Sequence, residues 1–326
     1  MKTVNRKWLS LGLCLLMMCG FFLTGCSNND PVTLRVGAMK GPTSMGLLFL
    51  MDKAEEGTCE DTYAFTMATA ADELLPLMIK GELDIALVPA NVAAVLYQKT
   101  NGGVSVIDIN TLGVLYFVTG DTGVTSVADL RGKTIYLTGK GTTPEASIRY
   151  ILKQNGLAES DYTLEFKSEA AEVAVVLADN PDAIGFLPQP FVTAAMMQNE
   201  ALKVVLDMNE EWMKLQADGS GMVTGVTVVR NEFLKENEAA VKRFLEEHKE
   251  SAAAINTDVE KGAVLAVEAG IVAKELIAKK AIPECNITCL TGTEMKTALE
   301  KYLNVLAEFK AEIVGGSVPD EEFYYE

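Results

Sequence analysis

One histidine, His248, stands in the 326 residues. That scarcity leaves almost no room for a histidine-based catalytic triad or a His-rich metal centre. His248 lies in Lys242-Arg243-Phe244-Leu245-Glu246-Glu247-His248-Lys249, a charged amphipathic helix, so it reads as part of a solvated face. Positive charge is scarce too. Lys and Arg number 28 against 45 Asp and Glu, a net charge of −17, which excludes a basic nucleic-acid face. The net charge does not fix that of a small ligand, because one pocket can oppose the overall field. A GxGxxG fingerprint is missing, and Gly139-Lys140-Gly141-Thr142-Thr143 lacks P-loop spacing. Past the N-terminal segment no apolar run is long enough, at about 18 uncharged residues, to span a bilayer. Hydrophobic residues at 49% argue for a folded chain, and the length suggests about two domains.

The N-terminus is built differently. Lys2, Arg6 and Lys7 precede an apolar stretch from Trp8 to Phe22. As a helix it would cover about 22 Å, short of a hydrocarbon core of about 30 Å, so it reads as a signal-peptide h-region. Leu23-Thr24-Gly25-Cys26 follows and resembles a bacterial lipobox. That resemblance implies cleavage after residue 25, a lipoprotein signal peptide over 1–25, and diacylglycerol (with further acyl chains such as palmitate) on Cys26. Residues 26–31 then form a polar tether, and the protein is expected on the extracytoplasmic face of the cell membrane. Three cysteines remain downstream, Cys59, Cys285 and Cys289. Cys285 and Cys289 flank a strand-like run, where a four-residue offset of about 13 Å is too long for a disulfide. Cys59 pairing with either one, or free thiols throughout, both remain open. No histidine is near them in sequence and no CxxC pair occurs, so neither metal nor cofactor is expected.

From residue 33 strand-like and helix-like patterns alternate. Thr33–Ala38, Tyr63–Ala68, Asp84–Val88, Leu112–Val118, Lys133–Leu137, Thr163–Phe166, Ala183–Leu187, Lys203–Asp207 and Val223–Val229 read as strands. Asp84–Val88 is continuously apolar, as a parallel strand buried on both faces should be. Helices are marked by caps and terminal glycines, as at Thr143-Pro144-Glu145 through Gly156. Beyond Asn231 the chain is nearly all helical, apart from Asn286–Leu290. The pattern predicts an α/β fold with mostly parallel sheets. Ligands of such sheets bind at the carboxyl ends of strands, where helix N-termini offer free N–H groups.

Three pieces carry a family resemblance: Leu34-Arg35-Val36-Gly37, Gly81-Glu82-Leu83-Asp84-Ile85-Ala86 and Ser126-Val127-Ala128-Asp129-Leu130-Arg131-Gly132-Lys133-Thr134-Ile135. Together with the lipobox they resemble ABC-transporter substrate-binding proteins of the nitrate-, sulfonate/taurine- and thiamine-precursor-binding group. The resemblance implies a type II periplasmic-binding-protein-like fold of two α/β lobes joined by two crossing segments. Lobe 1 is expected over 32–117 and 225–326, and lobe 2 over 118–224. The crossings are expected near Phe117-Val118-Thr119 and Gly221–Val226. Asp129 reads as a turn cap and Leu130 as a packing residue.

The same resemblance implies a small-molecule ligand between the lobes, delivered to an ABC permease by a monomeric, membrane-anchored binding protein that is not an enzyme. Candidate contacts are Met39, Lys40, Gly41, Pro42, Thr43, Ser44, Thr69, Ala70 and Asn91 from lobe 1, with Phe117 at the hinge. Lobe 2 offers Thr142, Thr143, Pro144, Leu187, Gln189 and Pro190. Lys40 reads either as a solvated lysine or as a donor to an anionic group. Thr43 and Ser44 read as anion donors or as caps. Trp212 reads as a packing residue. The ligand is expected to be organic, anionic or heteroaromatic. A sensor lipoprotein, or an enzyme on the same fold, is the alternative.

Overall fold

In the computed structural model, which describes residues 31–326, Leu34, Val36 and Ala38 alternate into one core and make Thr33–Met39 strand β1. The signal peptide, Cys26 and the tether up to residue 30 lie outside the described residues. Ten further strands follow: β2 Thr62–Ala68, β3 Ile85–Pro89, β4 Val104–Leu112, β5 Leu115–Thr119, β6 Thr134–Leu137, β7 Thr163–Phe166, β8 Ile184–Pro188, β9 Lys203–Asp207, β10 Val223–Arg230 and β11 Ile287–Leu290. They form two sheets. One has the order β11-β4-β10-β3-β1-β2 and the other β7-β6-β8-β5-β9. β1 pairs in parallel with β2 and β3, and β6 in parallel with β7 and β8. The reversed strands are β5, β10 and β11. β5 carries the chain into the second sheet and β10 brings it back, so two of the three antiparallel strands follow from joining the lobes.

The sequence reading takes Leu112–Val118 as one strand. The structure breaks it at Gly113-Val114, with β4 before and β5 after. β4 escaped notice because Asp108, Asn110 and Thr111 interrupt its apolar run, yet all three are buried. The first crossing therefore lies at Gly113-Val114, upstream of Phe117, which is already paired with Phe186 inside the second sheet. The chain returns through Gly221-Met222 into β10. The two crossings are tied together by one side chain. Asn209 Oδ1 accepts the Met222 amide at 2.8 Å, and a Cβ added to Gly113 would meet the Asn209 side chain at 2.6 Å. Only glycine lets the first crossing pass so close to the second.

The C-terminal part is no separate helical domain. β11 joins the first sheet, and the helix Gly292–Phe309 packs on lobe 1 while reaching lobe 2. There Tyr302 donates to or accepts from Ser147 at 3.0 Å and lies 5.0 Å from Trp212, which also packs on Tyr150. Trp212 is thus fully buried packing, as read from sequence. Among the described residues no helix is long and apolar enough to cross a membrane.

The quoted motif pieces have structural roles. Asp129 accepts the Ser126 amide and hydroxyl, both at 2.8 Å, and Leu130 is fully buried. Asp84 is buried and binds Arg35 through Nε at 2.8 Å and Arg230 through a terminal nitrogen at 3.0 Å, locking β1, β3 and β10 at one end of the first sheet. Burial opposes ionisation of Asp84, but the bonds from Arg35 and then Arg230 outweigh it and hold the carboxyl below its ordinary value of 3.8. A depressed carboxylate stabilises the fold fully above about pH 5 and progressively less as pH falls through its folded value. Asp84→Asn is therefore predicted to cost about 3 kcal/mol in urea unfolding at pH 7, and to flatten the acid limb of the stability profile.

Candidate functional site: the junction of the lobes

Asn91 is fully buried at the start of the helix Ala90–Lys99, directly after β3. Its Nδ2 donates at 3.2 Å to the Gly141 carbonyl of lobe 2 and at 3.2 Å to the Ile313 carbonyl of the C-terminal segment. Its Oδ1 accepts the Thr143 hydroxyl at 3.2 Å. One side chain thus fastens a strand-end loop of lobe 1 to the corresponding loop of lobe 2. The candidates Asn91, Thr142 and Thr143 are brought together, with Asn91 and Thr143 engaged by each other. A cavity of about 390 Å³ lies at this junction, lined by Gly141, Thr142, Glu145, Arg149, Phe309 and Ile313 among others. The lobes also meet on the opposite flank, where Ala194 and Met197 pack on a cluster containing Ile271, Val272 and Ile277.

Helix N-termini are less available than the sequence implies. Glu73 Oε1 accepts both the Thr69 and Ala70 amides, at 3.0 and 2.9 Å. Glu145 Oε2 accepts the Gly141 amide at 2.8 Å. Each helix fills its own first turn with a carboxylate, which discharges the positive end that a bound anion would use. Thr69 and Ala70 are correspondingly held within their own turn.

The first loop is different. Met39 ends β1, Gly41 has φ +146°, and Pro42, Thr43 and Ser44 are buried in the short helix Pro42–Met45. The Thr43 and Ser44 hydroxyls donate to the Met39 and Gly41 carbonyls at 3.3 and 3.1 Å. Thr43 is seated by Gly225 of β10, where an added Cβ would lie 2.5 Å from both Thr43 Cγ2 and Asn110 Oδ1. Lys40 is exposed and forms no ion pair among the described residues, a state it shares with other lysines such as Lys80 and Lys140. In lobe 2 Gln189 is buried, and its Oε1 accepts the Thr193 amide and hydroxyl at 3.2 and 2.9 Å. Pro144 opens the helix Thr143–Gln154, the Thr142 hydroxyl donates to the Gly139 carbonyl at 2.8 Å, and Leu187 and Pro190 are buried. Phe117 lies in the core against Phe186, ring centroids 4.7 Å apart, and does not line an open surface.

Sequence reasoning missed a polar row on the first sheet. Thr111 donates to Asn110 at 2.9 Å, Asn110 to Thr227 at 3.2 Å, and Thr227 to Asp108 Oδ1 at 2.8 Å. Thr224, beside Gly225, has a buried hydroxyl without a partner among the described residues. The signal available was a strand of high apolar content carrying several polar residues at once. His248 needs correction: it is fully buried, stacks on Phe244 and faces Asp108 Oδ2 at 3.1 Å through Nδ1. The helix that carries it turns this face, not the charged one, to the sheet. Cys59, Cys285 and Cys289 are all free thiols. Burial, then the Asp108 carboxylate, pushes the Cys289 thiol well above its ordinary value.

With this geometry in view, comparison with known proteins is informative. Residues 103–260, just under half of the chain, match a family model described as NMT1/THI5 like. No curated protein sequence matches the chain. An ABC transporter protein from Parabacteroides distasonis superposes with a TM-score of 0.75 at 24% identity, over 90% of this chain and 99% of that one. The periplasmic aliphatic sulphonate binding protein SsuA of Escherichia coli gives 0.72 at 16%, over 91% and 92%. The chain has the periplasmic-binding-protein fold. A Candida albicans protein described as having the generic form of that fold gives 0.61 at 15%, over 89% and 92%. The resemblance carried by the sequence motifs stands, and in this structure the loops after β3 and β6 meet through Asn91, Gly141 and Thr143.

Removing the fastening should open the molecule. Asn91→Ala is predicted to cost about 1–3 kcal/mol in stability and to raise the radius of gyration measured by small-angle scattering. Thr142→Ala, whose hydroxyl bonds only within its own loop, should leave the radius unchanged.

Proposed function

We propose that the protein is the solute-binding component of an ABC importer, anchored through acylated Cys26 on the outer face of the membrane, that closes on a small ligand between its lobes and delivers it to the permease. The observation that carries this reading is the direct bonding of strand-end loops across the lobes through Asn91, Gly141 and Thr143. Two lobes joined by adjacent crossings and able to bond across their junction form a hinge device. An open form is stabilised toward the closed form by whatever ligand contacts both lobes.

In this reading the ligand site draws on the first loop, Met39 to Ser44, together with Asn91, Thr142–Pro144 and Gln189. Lys40, without an ion pair, is the group that receives an anionic or strongly polar end. The self-capped helix starts at Thr69-Ala70 and Gly141 argue against a site made of helix termini alone. No nucleophile or acid–base pair is assembled among these residues, so binding and not turnover is the function assigned. Membrane attachment rests on the lipobox resemblance, and two or more acyl chains on Cys26 hold the protein where one alone binds marginally.

A thermal-melt panel of nitrate, bicarbonate, taurine and other sulfonates, thiamine and its pyrimidine precursor, and amino acids tests the reading. A ligand at 100 times its Kd adds about 2.7 kcal/mol of stability and raises the melting temperature by several degrees. For an anionic hit, Lys40→Gln should weaken binding about tenfold, about 1.4 kcal/mol, while leaving the unliganded melting temperature unchanged. Absence of any shift, together with binding to a receptor kinase, would replace transport by sensing. In cell fractionation, Cys26→Ser should move the mature chain out of the membrane pellet.

A further inference from the structure

The protein's single histidine is not spent on solvent contact or on the cleft. His248, on the helix Glu238–Thr257, is fully buried over the first sheet. It meets Asp108, from β4, which is also fully buried. Cys289, from the neighbouring edge strand β11, completes the group and is only partly covered. One ligand-capable atom from each of the three residues lies within 4.8 Å of the others.

We propose that Asp108, His248 and Cys289 form a binding site for a thiophilic divalent cation of the zinc type. The set offers one carboxylate oxygen, one imidazole nitrogen and one thiol sulfur, the donor mixture zinc takes. Bonds of about 2.0–2.3 Å place tetrahedral ligands roughly 3.3–3.8 Å apart, so side-chain adjustment on the order of 1 Å closes the set on an ion. Three protein ligands leave one position for water, and the partly covered Cys289 side provides the way in. The charges balance. Binding takes the Cys289 proton to solvent, and the thiolate and the Asp108 carboxylate together cancel the two charges of the ion.

The surroundings support a built site. Thr227 donates to Asp108 Oδ1 at 2.8 Å and orients the carboxylate, the type of outer contact that tunes a metal ligand. Phe244 stacks on the His248 ring at 5.5 Å between centroids and fixes its plane. Nδ1 is the ring nitrogen that faces Asp108 and is the one offered to the ion, while Nε2 lies buried toward Gly46 without a partner among the described residues. On the Nε2 side a Cβ added to Gly46 would come within 3.2 Å of the ring, a tight approach that glycine avoids. The three ligands come from β4, β11 and the helix between them, so an ion would staple the edge strand to the sheet and to its covering helix. The inference does not rest on the solute-binding reading and survives its failure.

The test uses the purified full chain with Zn²⁺ or Co²⁺ alone. One equivalent of Zn²⁺ should bind in calorimetry and raise the melting temperature. Co²⁺ should give a thiolate-to-metal charge-transfer band. Cys289→Ser and His248→Gln should abolish the band and weaken Zn²⁺ binding by 100-fold or more, and Thr227→Val should weaken it about 10–100-fold. Cys59→Ser should change nothing. On the unmutated chain, mass spectrometry of alkylated peptides should show Zn²⁺ protecting Cys289 and not Cys59, which reads the site even where a variant misfolds. Lack of stoichiometric uptake, uptake unaltered by Cys289→Ser, or equal alkylation with and without Zn²⁺ would overturn the proposal.

Discussion

The chain must leave the first sheet and return to it, and both passages run through one narrow place. Gly113 in the first and Met222 in the second meet the same side chain, Asn209, one by close approach and the other by a 2.8 Å hydrogen bond. Asn286 adds a bond from its Nδ2 to the Gly113 carbonyl at 2.5 Å. β5 and β10, which carry the two passages, run against their neighbours, and lobes joined by two adjacent crossings have rotation about that line as their least costly motion. The reversal of β5 and β10 goes with these two passages, whereas the reversed β11 is added by the later chain.

The lobes are also joined away from the crossings. Asn91 bonds to Gly141, Thr143 and Ile313 on one flank, and apolar side chains of Phe191–Gln198 cover the cluster around Ile277 on the other. Such contacts set how much a ligand must contribute to favour closure. A fastening made of three hydrogen bonds is worth a few kcal/mol at most in exchange with water, comparable to what a modest ligand supplies. Polar contacts of this size suit a molecule that must both close and release.

Electrostatics is arranged locally despite the large negative net charge. Buried carboxylates are paired: Asp84 with Arg35 and Arg230, and Asp61 with Arg243 at 2.7 Å. Less buried ones cap helices, as Glu73, Glu145 and Asp129 do. Lys40 is proposed for the ligand because of its place in the loop after β1, since the lack of an ion pair is common among the described lysines. Asp108 stands outside both schemes, since its partners are a hydroxyl and an imidazole and no guanidinium or ammonium.

The alternation of strands and capped helices and the roles of Asp129, Leu130 and Trp212 were legible in the sequence, because they rest on local periodicity, on apolar character and on a cap that lies within a few residues of what it binds. The two-lobe fold came from the family resemblance, while the pairing of Asp84 with Arg35 and Arg230 spans distant positions and was not legible. The loops at Thr69-Ala70 and Gly141-Thr142 open into helices, as strand-end loops are expected to, and the carboxylates that fill those starts, Glu73 and Glu145, lie four residues on or nearer. Tertiary structure alone decided the rest. Strand β4 hid behind three polar residues that are buried only because β10 and a helix supply their partners. Phe117 became core, and Asn91 and Thr143 became partners of each other, through contacts between residues about fifty positions apart or more. His248 looked solvated because its sequence neighbours are charged, yet it lies on the buried side of its helix, beside Asp108 and Cys289. Sequence fixes which atoms are available; which of them meet is set by packing, whose partners are distant along the chain.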